Sequence, residues 1–170
     1  MILVDMNQIS LASVMMHLNV TQRTSVDMGM VRHMILNSLR MYRQMFYEEY
    51  GELVICYDSR HYWRRDFFPE YKASRKKTRE TSGHDWNDIF DCLNTVKEEL
   101  IEFFPYKVLE VYGAEADDIS AALCLDLEFD NGKTLILSGD KDFIQLHKFK
   151  NVKQYSPITK KFINGVDPDE

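Results

Sequence analysis

The sequence predicts an α/β fold built on a mostly parallel β-sheet with helices on both faces. Short apolar runs, at residues 1–5, 53–58, 106–111 and 134–140, alternate with longer segments in which apolar residues recur at helical spacing. These runs are continuously apolar, which is typical of strands that are buried on both faces of a parallel sheet. In such a sheet, ligands bind in the crevice outside the carboxyl ends of the strands.

The first third of the chain is predicted as strand, helix, strand. Residues 1–5 (MILVD) form a short buried strand that ends on an acid. Residues 27–46 carry apolar side chains at helical spacing, and Ser25 is the predicted cap of this helix. Gly51 closes the helix, and residues 53–58 (LVICYD) form a second strand that also ends on an acid.

Residues 60–84 interrupt the alternation with a basic and aromatic segment of weak periodicity, which contains Pro69 and Gly83. A connection of this length exceeds the few residues that usually join elements of α/β folds. We therefore expect it to be a functional segment.

The rest of the chain resumes the alternation. Its predicted elements are a helix at 85–104, a strand at 106–111, a helix at 114–128, a turn at Asn131 and Gly132, a strand at 134–140, and a hairpin of 152–156 with 161–163. Acidic residues open the second of these helices, where the helix dipole favours negative charge.

Composition excludes several classes of protein. With 170 residues and 12% aromatics, the chain suits one globular domain, residues 1–170, rather than a disordered protein. No apolar run approaches the roughly 20 residues that span a bilayer, and the amino terminus does not resemble a signal peptide. Three dispersed cysteines without a CxxC pair favour a reducing compartment, so we expect a cytoplasmic protein with no membrane partner.

Charge is segregated along the chain. Residues 60–79 contain eight basic and two acidic residues, residues 110–130 contain seven acidic and no basic ones, and residues 133–161 contain seven basic and two acidic ones. Such runs are often only solvated surface, but basic segments on both sides of an acidic one favour a groove for a polyanion with cations bound beside it.

Acidic residues lie at or just after the carboxyl end of every predicted parallel strand. They are Asp5, Asp58, Glu115, Asp117, Asp118, Asp140 and Asp142. Each alone could be a helix cap, a turn residue or a partner of a helix dipole. Together at one edge of a sheet they would repel one another, and a ligand set of carboxylates alone favours a hard cation, Mg²⁺ or Mn²⁺.

This arrangement predicts phosphate-ester chemistry. Two cations about 4 Å apart can activate water and stabilise the leaving oxygen of a phosphodiester. Basic residues interleaved with aromatic ones at 60–84 suit a nucleic-acid backbone, which they would neutralise while the aromatics stack on bases. For Trp63 and Phe67, packing in the core of an amphipathic helix is an equally good interpretation.

Several motifs resemble the 5′ nuclease superfamily, which includes flap endonucleases and the 5′-nuclease domains of bacterial DNA polymerases. They are VD at 4–5, YD at 57–58, EADD at 115–118 and SGDKDF at 138–143, in this order. YWRRDFFPEYKASRKK at 62–77 resembles the helical arch of that superfamily. VRHMILNSLR at 31–40 and QLHKFKNVKQYSP at 145–157 resemble the ribonuclease H group of T-even bacteriophages.

The resemblance implies a PIN-like fold with a basic helical arch at 60–84, and cleavage near 5′ ends of DNA and RNA–DNA duplexes and flaps during primer removal. By position, the ligands of a first Mg²⁺ or Mn²⁺ ion are Asp5, Asp58, Glu115, Asp117 and Asp140, while Asp142 faces a second ion and Asp118 is an additional acid of phage members. Lys72 and Arg75 match residues that contact the scissile phosphate. The arch residues predicted to bind nucleic acid are Arg64, Arg65, Tyr71, Lys76, Lys77 and Arg79.

Relatives of this kind continue into a helix-hairpin-helix region that binds duplex DNA and supplies further ligands to the second ion. No such motif follows Asp142 before the sequence ends at Glu170. We therefore expect a weaker second ion site, unless a further segment or another chain completes it. Replication proteins are further expected partners, and the host cytoplasm is the expected location if the chain is phage-encoded.

Three other functions remain compatible with the residues. A PIN-type endoribonuclease needs fewer acids and no arch. A Mg²⁺ phosphatase or phosphotransfer domain would use Asp5 as a nucleophile and would not need the basic aromatic segment. A nucleic-acid-binding module would bind flaps without cutting them.

Overall fold

The computed structural model describes residues 1–128 and 132–164, and its strands form one six-stranded sheet. The strands are β1 (Ile2–Asp5), β2 (Leu53–Tyr57), β3 (Lys107–Glu110), β4 (Thr134–Leu137), β5 (Val152–Ser156) and β6 (Lys161–Ile163). Their order across the sheet is β3-β2-β1-β4-β5-β6. All neighbours are parallel except β5 and β6, which form the predicted hairpin, so the prediction of a mostly parallel sheet is confirmed.

Helices cover both faces of this sheet, as predicted. They are α1 (Met6–Thr21), α2 (Met28–Tyr50), α3 (Arg64–Phe67), α4 (Ser74–Thr81), α5 (Trp86–Phe103), α6 (Ala116–Glu128) and a 3₁₀ helix (Lys141–Lys148). Because side chains alternate along a strand, Ile2 and Val4 join the core beneath α1, α2 and α5, whereas Leu3 joins a second core beneath α6 and the 3₁₀ helix. Of the helices described, none combines the length and apolar content that crossing a bilayer requires.

Helix α1 is not predicted from the sequence. Its buried residues include Met6, Ile9, Val14 and Leu18, but Val20 on the same helix is exposed. Apolar groups therefore lie around much of the helix rather than on one stripe, and the periodicity that reveals an amphipathic helix is weak.

Two predicted boundaries need correction. Asp27, not Ser25, caps α2, because its carboxylate accepts a hydrogen bond from the N–H of Met30 at 3.0 Å. The predicted strand at 134–140 ends at Leu137, since Asp140 already caps the 3₁₀ helix. Of the turn predicted at Asn131 and Gly132, Asn131 lies outside the described residues.

The strand order creates a crevice beside β1. From β1 the chain runs to β2 and β3 on one side of the sheet, and it then returns to β4 on the other side. The connections on the two sides of β1 therefore diverge at its carboxyl end, which is where α/β sheets bind their ligands.

Candidate active site

A cleft of about 470 Å³ lies at the carboxyl edge of the sheet. Six of the seven predicted metal ligands line it, namely Asp5, Asp58, Glu115, Asp117, Asp140 and Asp142. Three basic residues from the segment 60–84 face the same space, namely Lys72, Arg75 and Arg79. The acids and the bases that the sequence analysis singled out are thus brought together, while Asp118 lies outside the lining of this cleft.

Asp5 ends β1 at the centre of the cleft. Its Oδ1 accepts the N–H of Gln8 at 3.4 Å, which caps α1, and its Oδ2 accepts the hydroxyl of Ser138 at 2.8 Å. Burial, with smaller contributions from the nearby charges of Asp58 and Asp140, raises the pKa of Asp5 to about 6 despite these two hydrogen bonds. Placing a negative charge here is therefore costly unless positive charge is nearby.

Asp58 and Asp140 are held by main-chain groups of the neighbouring elements. Asp58 Oδ1 accepts the N–H of Ala116 at 2.7 Å, which joins the end of β2 to the start of α6. Asp140 Oδ1 accepts the N–H of Asp142 at 3.0 Å, as the cap of the 3₁₀ helix. Each carboxylate thus keeps an oxygen atom for a ligand, in an orientation that the fold fixes.

Two glutamines hold the loop that carries Asp140. Gln8 Oε1 accepts the N–H of Gly139 at 2.6 Å, and the fully buried Gln154 donates from Nε2 to the carbonyls of Ser138 and Asp140, both at 2.8 Å. Sequence reasoning missed Gln8, Ser138 and Gln154, because single polar residues far apart in the chain carry no spacing signal.

Basic side chains of the segment 60–84 already neutralise part of the acidic cluster. Arg64 Nη1 donates to Glu115 Oε2 at 2.7 Å and to Asp118 Oδ2 at 2.8 Å, and Nη2 donates to Asp118 Oδ1 at 2.8 Å. Lys72 Nζ donates to Glu115 Oε1. Glu115 is only 2% exposed, so these pairs supply the positive charge that a buried carboxylate needs.

The ionisation of these groups follows their partners. Burial disfavours ionised Asp118, but the hydrogen bonds from Arg64, from the main chain of Glu115 and from Trp63, together with the charge of Arg64, outweigh that cost and lower its pKa. Burial raises the pKa of Asp117, which Arg64 approaches only to 3.9 Å. Burial would lower the pKa of Lys72, but the hydrogen bond to Glu115 and the negative charge of that carboxylate together raise it, so Lys72 is charged at neutral pH.

The predicted arch contains two short helices, α3 and α4, and its first turn is anchored on the acidic side of the cleft. The main-chain N–H of Trp63 donates a hydrogen bond to the carbonyl of Gly113 at 2.8 Å, and Tyr62 forms a β-bridge with the same residue. Gly113 has φ +83°, a left-handed conformation that favours glycine. The turn at Gly113 leads the chain from the end of β3 to Glu115.

Most other arch residues face solvent. Arg65, Arg75, Lys76 and Lys77 are exposed. Phe67 is 82% exposed and Trp63 47%, so the interpretation that these aromatics belong to a core is wrong.

Arch residues predicted to bind nucleic acid also make local contacts with aromatic rings. The Arg65 guanidinium lies 4.6 Å from the Tyr62 ring centre. Tyr71 packs edge-on against Tyr62, and Arg79 lies over Trp86 and Phe90.

The remaining acids fit a hard cation. Within residues 1–128 and 132–164, no ion pair joins a basic side chain to Asp5, Asp58, Asp140 or Asp142. Their donor atoms are all carboxylate oxygens, and Glu115 and Asp117, which have oxygens within 4.8 Å of each other, line the same cleft. Oxygen-only donors with unbalanced negative charge are what Mg²⁺ and Mn²⁺ require.

Without divalent cations, we expect the free energy of unfolding to fall as the pH rises from about 4 to about 6. The folded state binds the proton of Asp5 more tightly than the unfolded chain, in which the pKa of Asp is about 3.9. The cost of ionising buried Asp5 therefore does not affect stability below about pH 4 and affects it fully above pH 6. A rise of the pKa to about 6 corresponds to a loss of roughly 3 kcal/mol in the free energy of unfolding. Asp5→Asn should remove it and raise stability at pH 7.

Urea unfolding in EDTA between pH 4 and pH 7 tests this expectation. The lowered pKa of Asp118 has the opposite sign, but it acts below pH 4 and leaves this window unaffected. A wild-type curve that is flat or rises across the window, or no gain for Asp5→Asn, would contradict the raised pKa of Asp5.

Known proteins share both the sequence and the fold. Residues 1–170 match the family described as 5′-3′ exonuclease, N-terminal resolvase-like domain. The chain is 40% identical to ribonuclease H of Enterobacteria phage T4 over 164 residues, which cover 95% of this chain and 53% of that protein. It is 33% identical to a 5′-3′ exonuclease of Buchnera aphidicola over 101 residues, 59% of this chain and 32% of that protein.

A solved structure extends the comparison to the fold. The flap endonuclease of bacteriophage T5, solved as a pseudo-enzyme–product complex with DNA and metal ions, aligns with a TM-score of 0.73 at 17% identity, over 96% of this chain and 57% of that one. The fold is therefore the resolvase-like, PIN-like α/β fold. The chain spans about half the length of the T4 relative and a third of the Buchnera one. On the match over residues 1–170, the chain belongs to the family of 5′-3′ exonuclease N-terminal, resolvase-like domains.

Proposed function

We propose that residues 1–170 form the catalytic core of a divalent-metal-dependent 5′ nuclease, which hydrolyses phosphodiesters near the 5′ ends of DNA and RNA–DNA duplexes and flaps. The observation that carries the proposal is the cleft in which six carboxylates at the carboxyl edge of the sheet face Lys72 and Arg75. A phosphate-neutralising set of bases opposite a cation-binding set of acids suits phosphodiester hydrolysis. The names of the phage T4 and Buchnera relatives agree with this chemistry.

The cation is proposed to be Mg²⁺, with Mn²⁺ as a substitute and two ions in the complete site. Asp5, Asp58, Glu115, Asp117 and Asp140 would hold the first ion, and Asp142 would face the second. Bound there, the ions would supply an activated water and neutralise charge on the scissile phosphate.

The chain's own bases complete the proposed chemistry. Lys72 and Arg75 line the same cleft as the acids, where they would hold the phosphate oxygens and meet the charge that grows as the bond breaks. The exposed bases Arg65, Lys76 and Lys77 would neutralise the backbone of the strand, and Tyr71 and Arg79 would line its path. The proposed role is primer removal during DNA replication, in the cytoplasm of the host cell if the chain is phage-encoded.

A cleavage assay tests the proposal. The 170-residue chain is incubated with a labelled 5′-flap duplex and a 5′-recessed RNA–DNA duplex, in Mg²⁺, Mn²⁺ or EDTA. We expect cation-dependent release of short fragments from the 5′ end, and loss of that release when the 5′ end carries a bulky block. Binding without cleavage in either cation would instead identify a nucleic-acid-binding module. Cation-dependent cutting within unstructured RNA, unaffected by the block, would identify an endoribonuclease.

A further inference from the structure

Asp118 differs from the other six acids in the partners of its carboxylate. Its Oδ1 accepts Arg64 Nη2 at 2.8 Å. Its Oδ2 accepts Arg64 Nη1 at 2.8 Å, the main-chain N–H of Glu115 at 2.9 Å and the indole N–H of Trp63 at 3.3 Å. Three donors thus use Oδ2 fully and Oδ1 accepts a charge-assisted hydrogen bond from Arg64, so the charge of Asp118 is compensated without a cation.

Arg64 extends this arrangement to Glu115. The nitrogen that contacts Asp118 Oδ2 also donates to Glu115 Oε2 at 2.7 Å. The main chain of Glu115 is thus fixed by Asp118 and its side chain by Arg64. Planar guanidinium groups make directional, paired hydrogen bonds of this kind, which a lysine cannot reproduce.

We propose that Asp118 is a positioning residue rather than a metal ligand, and that it acts through Arg64 to fix the orientation of Glu115. The assignment rests on the proposed function for the role of Glu115. It goes beyond that function because it gives Asp118 and Arg64 roles other than the cation ligand and the nucleic-acid contact predicted from their sequence positions.

The pair also links two parts of the fold. Arg64 is the first residue of α3, at the base of the arch, and Asp118 lies in the first turn of α6. If the arch base moved away, Glu115 and Asp118 would face each other without Arg64 between them. The geometry of the acidic cluster therefore depends on the position of the arch base.

A double-mutant cycle tests the assignment. Mn²⁺ binding to the 170-residue chain is measured by titration calorimetry for wild type, Asp118→Asn, Arg64→Met and the double variant. Residues that orient metal ligands typically contribute about 10–100-fold in affinity. We expect each single variant to bind as many ions as wild type, with affinity lowered about tenfold. Because Asp118 acts through Arg64, the double variant should be no weaker than Arg64→Met alone.

Asp58→Asn is the matched control, since Asp58 lines the cleft and the contacts of Arg64 do not include it. It should lower the affinity or the number of bound ions in the wild-type and Arg64→Met backgrounds alike. One ion fewer in Asp118→Asn, an undiminished effect of Asp118→Asn in the Arg64→Met background, or no effect of Asp118→Asn at all would each overturn the assignment.

Two further measurements keep the outcome decisive. Circular dichroism shows whether each variant is folded. If Arg64→Met is unfolded, Arg64→Lys replaces it, because lysine keeps the positive charge but cannot make the paired hydrogen bonds of the guanidinium group. When the same four proteins are compared in the cleavage assay, the double variant should likewise lose no more kcat than Arg64→Met alone. If wild type binds Mn²⁺ but cuts no substrate, the proposed function fails while the binding cycle still decides the role of Asp118.

Discussion

Asp140→Asn is expected to lower the rate of 5′-end cleavage more than a hundredfold. Asp140 lines the cleft without a basic partner among the described residues, so its charge is available to a cation. Removing a ligand should exceed the roughly 10–100-fold that supporting residues contribute. Asp140 Oδ1 accepts a hydrogen bond from the N–H of Asp142 at 3.0 Å, and the amide oxygen of asparagine can accept the same bond. Asparagine also caps a helix as well as aspartate does, so the fold should persist.

The matched control is Asp27→Asn. Asp27 caps α2 through the N–H of Met30 at the same distance of 3.0 Å, but it does not line the cleft. Single-turnover cleavage in Mg²⁺ should be near wild type for this variant. More than one tenth of the wild-type rate for Asp140→Asn, or an equal loss for both variants, would show that Asp140 serves only as a cap.

Lys72→Met is expected to reduce kcat by about 10²–10³-fold, with a much smaller change in KM. Lys72 is charged, lines the cleft and already contacts the carboxylate of Glu115. A cation aimed at the phosphate stabilises the charge that develops in the transition state more than the charge of the bound substrate. Arg75→Met should change the rate in the same direction.

Lys76→Met provides the comparison for Lys72→Met. Lys76 is exposed on α4 and does not line the cleft. Its loss should raise KM and reduce the salt dependence of binding, with kcat nearly unchanged. Steady-state cleavage at several salt concentrations separates the two effects. If Lys72→Met raised KM as much as it lowered kcat, Lys72 would be a simple backbone contact.

The strands and the position of the acids could be predicted from sequence for one physical reason. A parallel strand buried on both faces needs a continuous apolar run, and the first acid after the run marks its carboxyl end. Asp5 and Asp58 are predicted directly in this way. β4 is predicted to reach residue 140, because Ser138 and Gly139 do not look like a break, although the chain leaves the sheet after Leu137 and Asp140 caps the 3₁₀ helix.

The partners of the acids could not be predicted in the same way. The basic character of the arch is visible in the sequence, but it does not show that Arg64 turns inward while Arg65 faces solvent. That choice depends on the bridge between Tyr62 and Gly113, which fixes the direction of the first arch turn. Contacts between distant single residues, such as Gln154 with the Asp140 loop, likewise arise only from the fold.

The two outermost strands of the sheet affect how the protein behaves at high concentration. β3 has four residues, begins with an exposed lysine and ends with an exposed glutamate that pairs with Lys97, while β6 has only three residues and begins with Lys161. Short, charged margins of this kind are poor templates for a strand from another molecule. The sheet should therefore resist edge-to-edge aggregation, even though its central strands are among the most apolar segments of the chain.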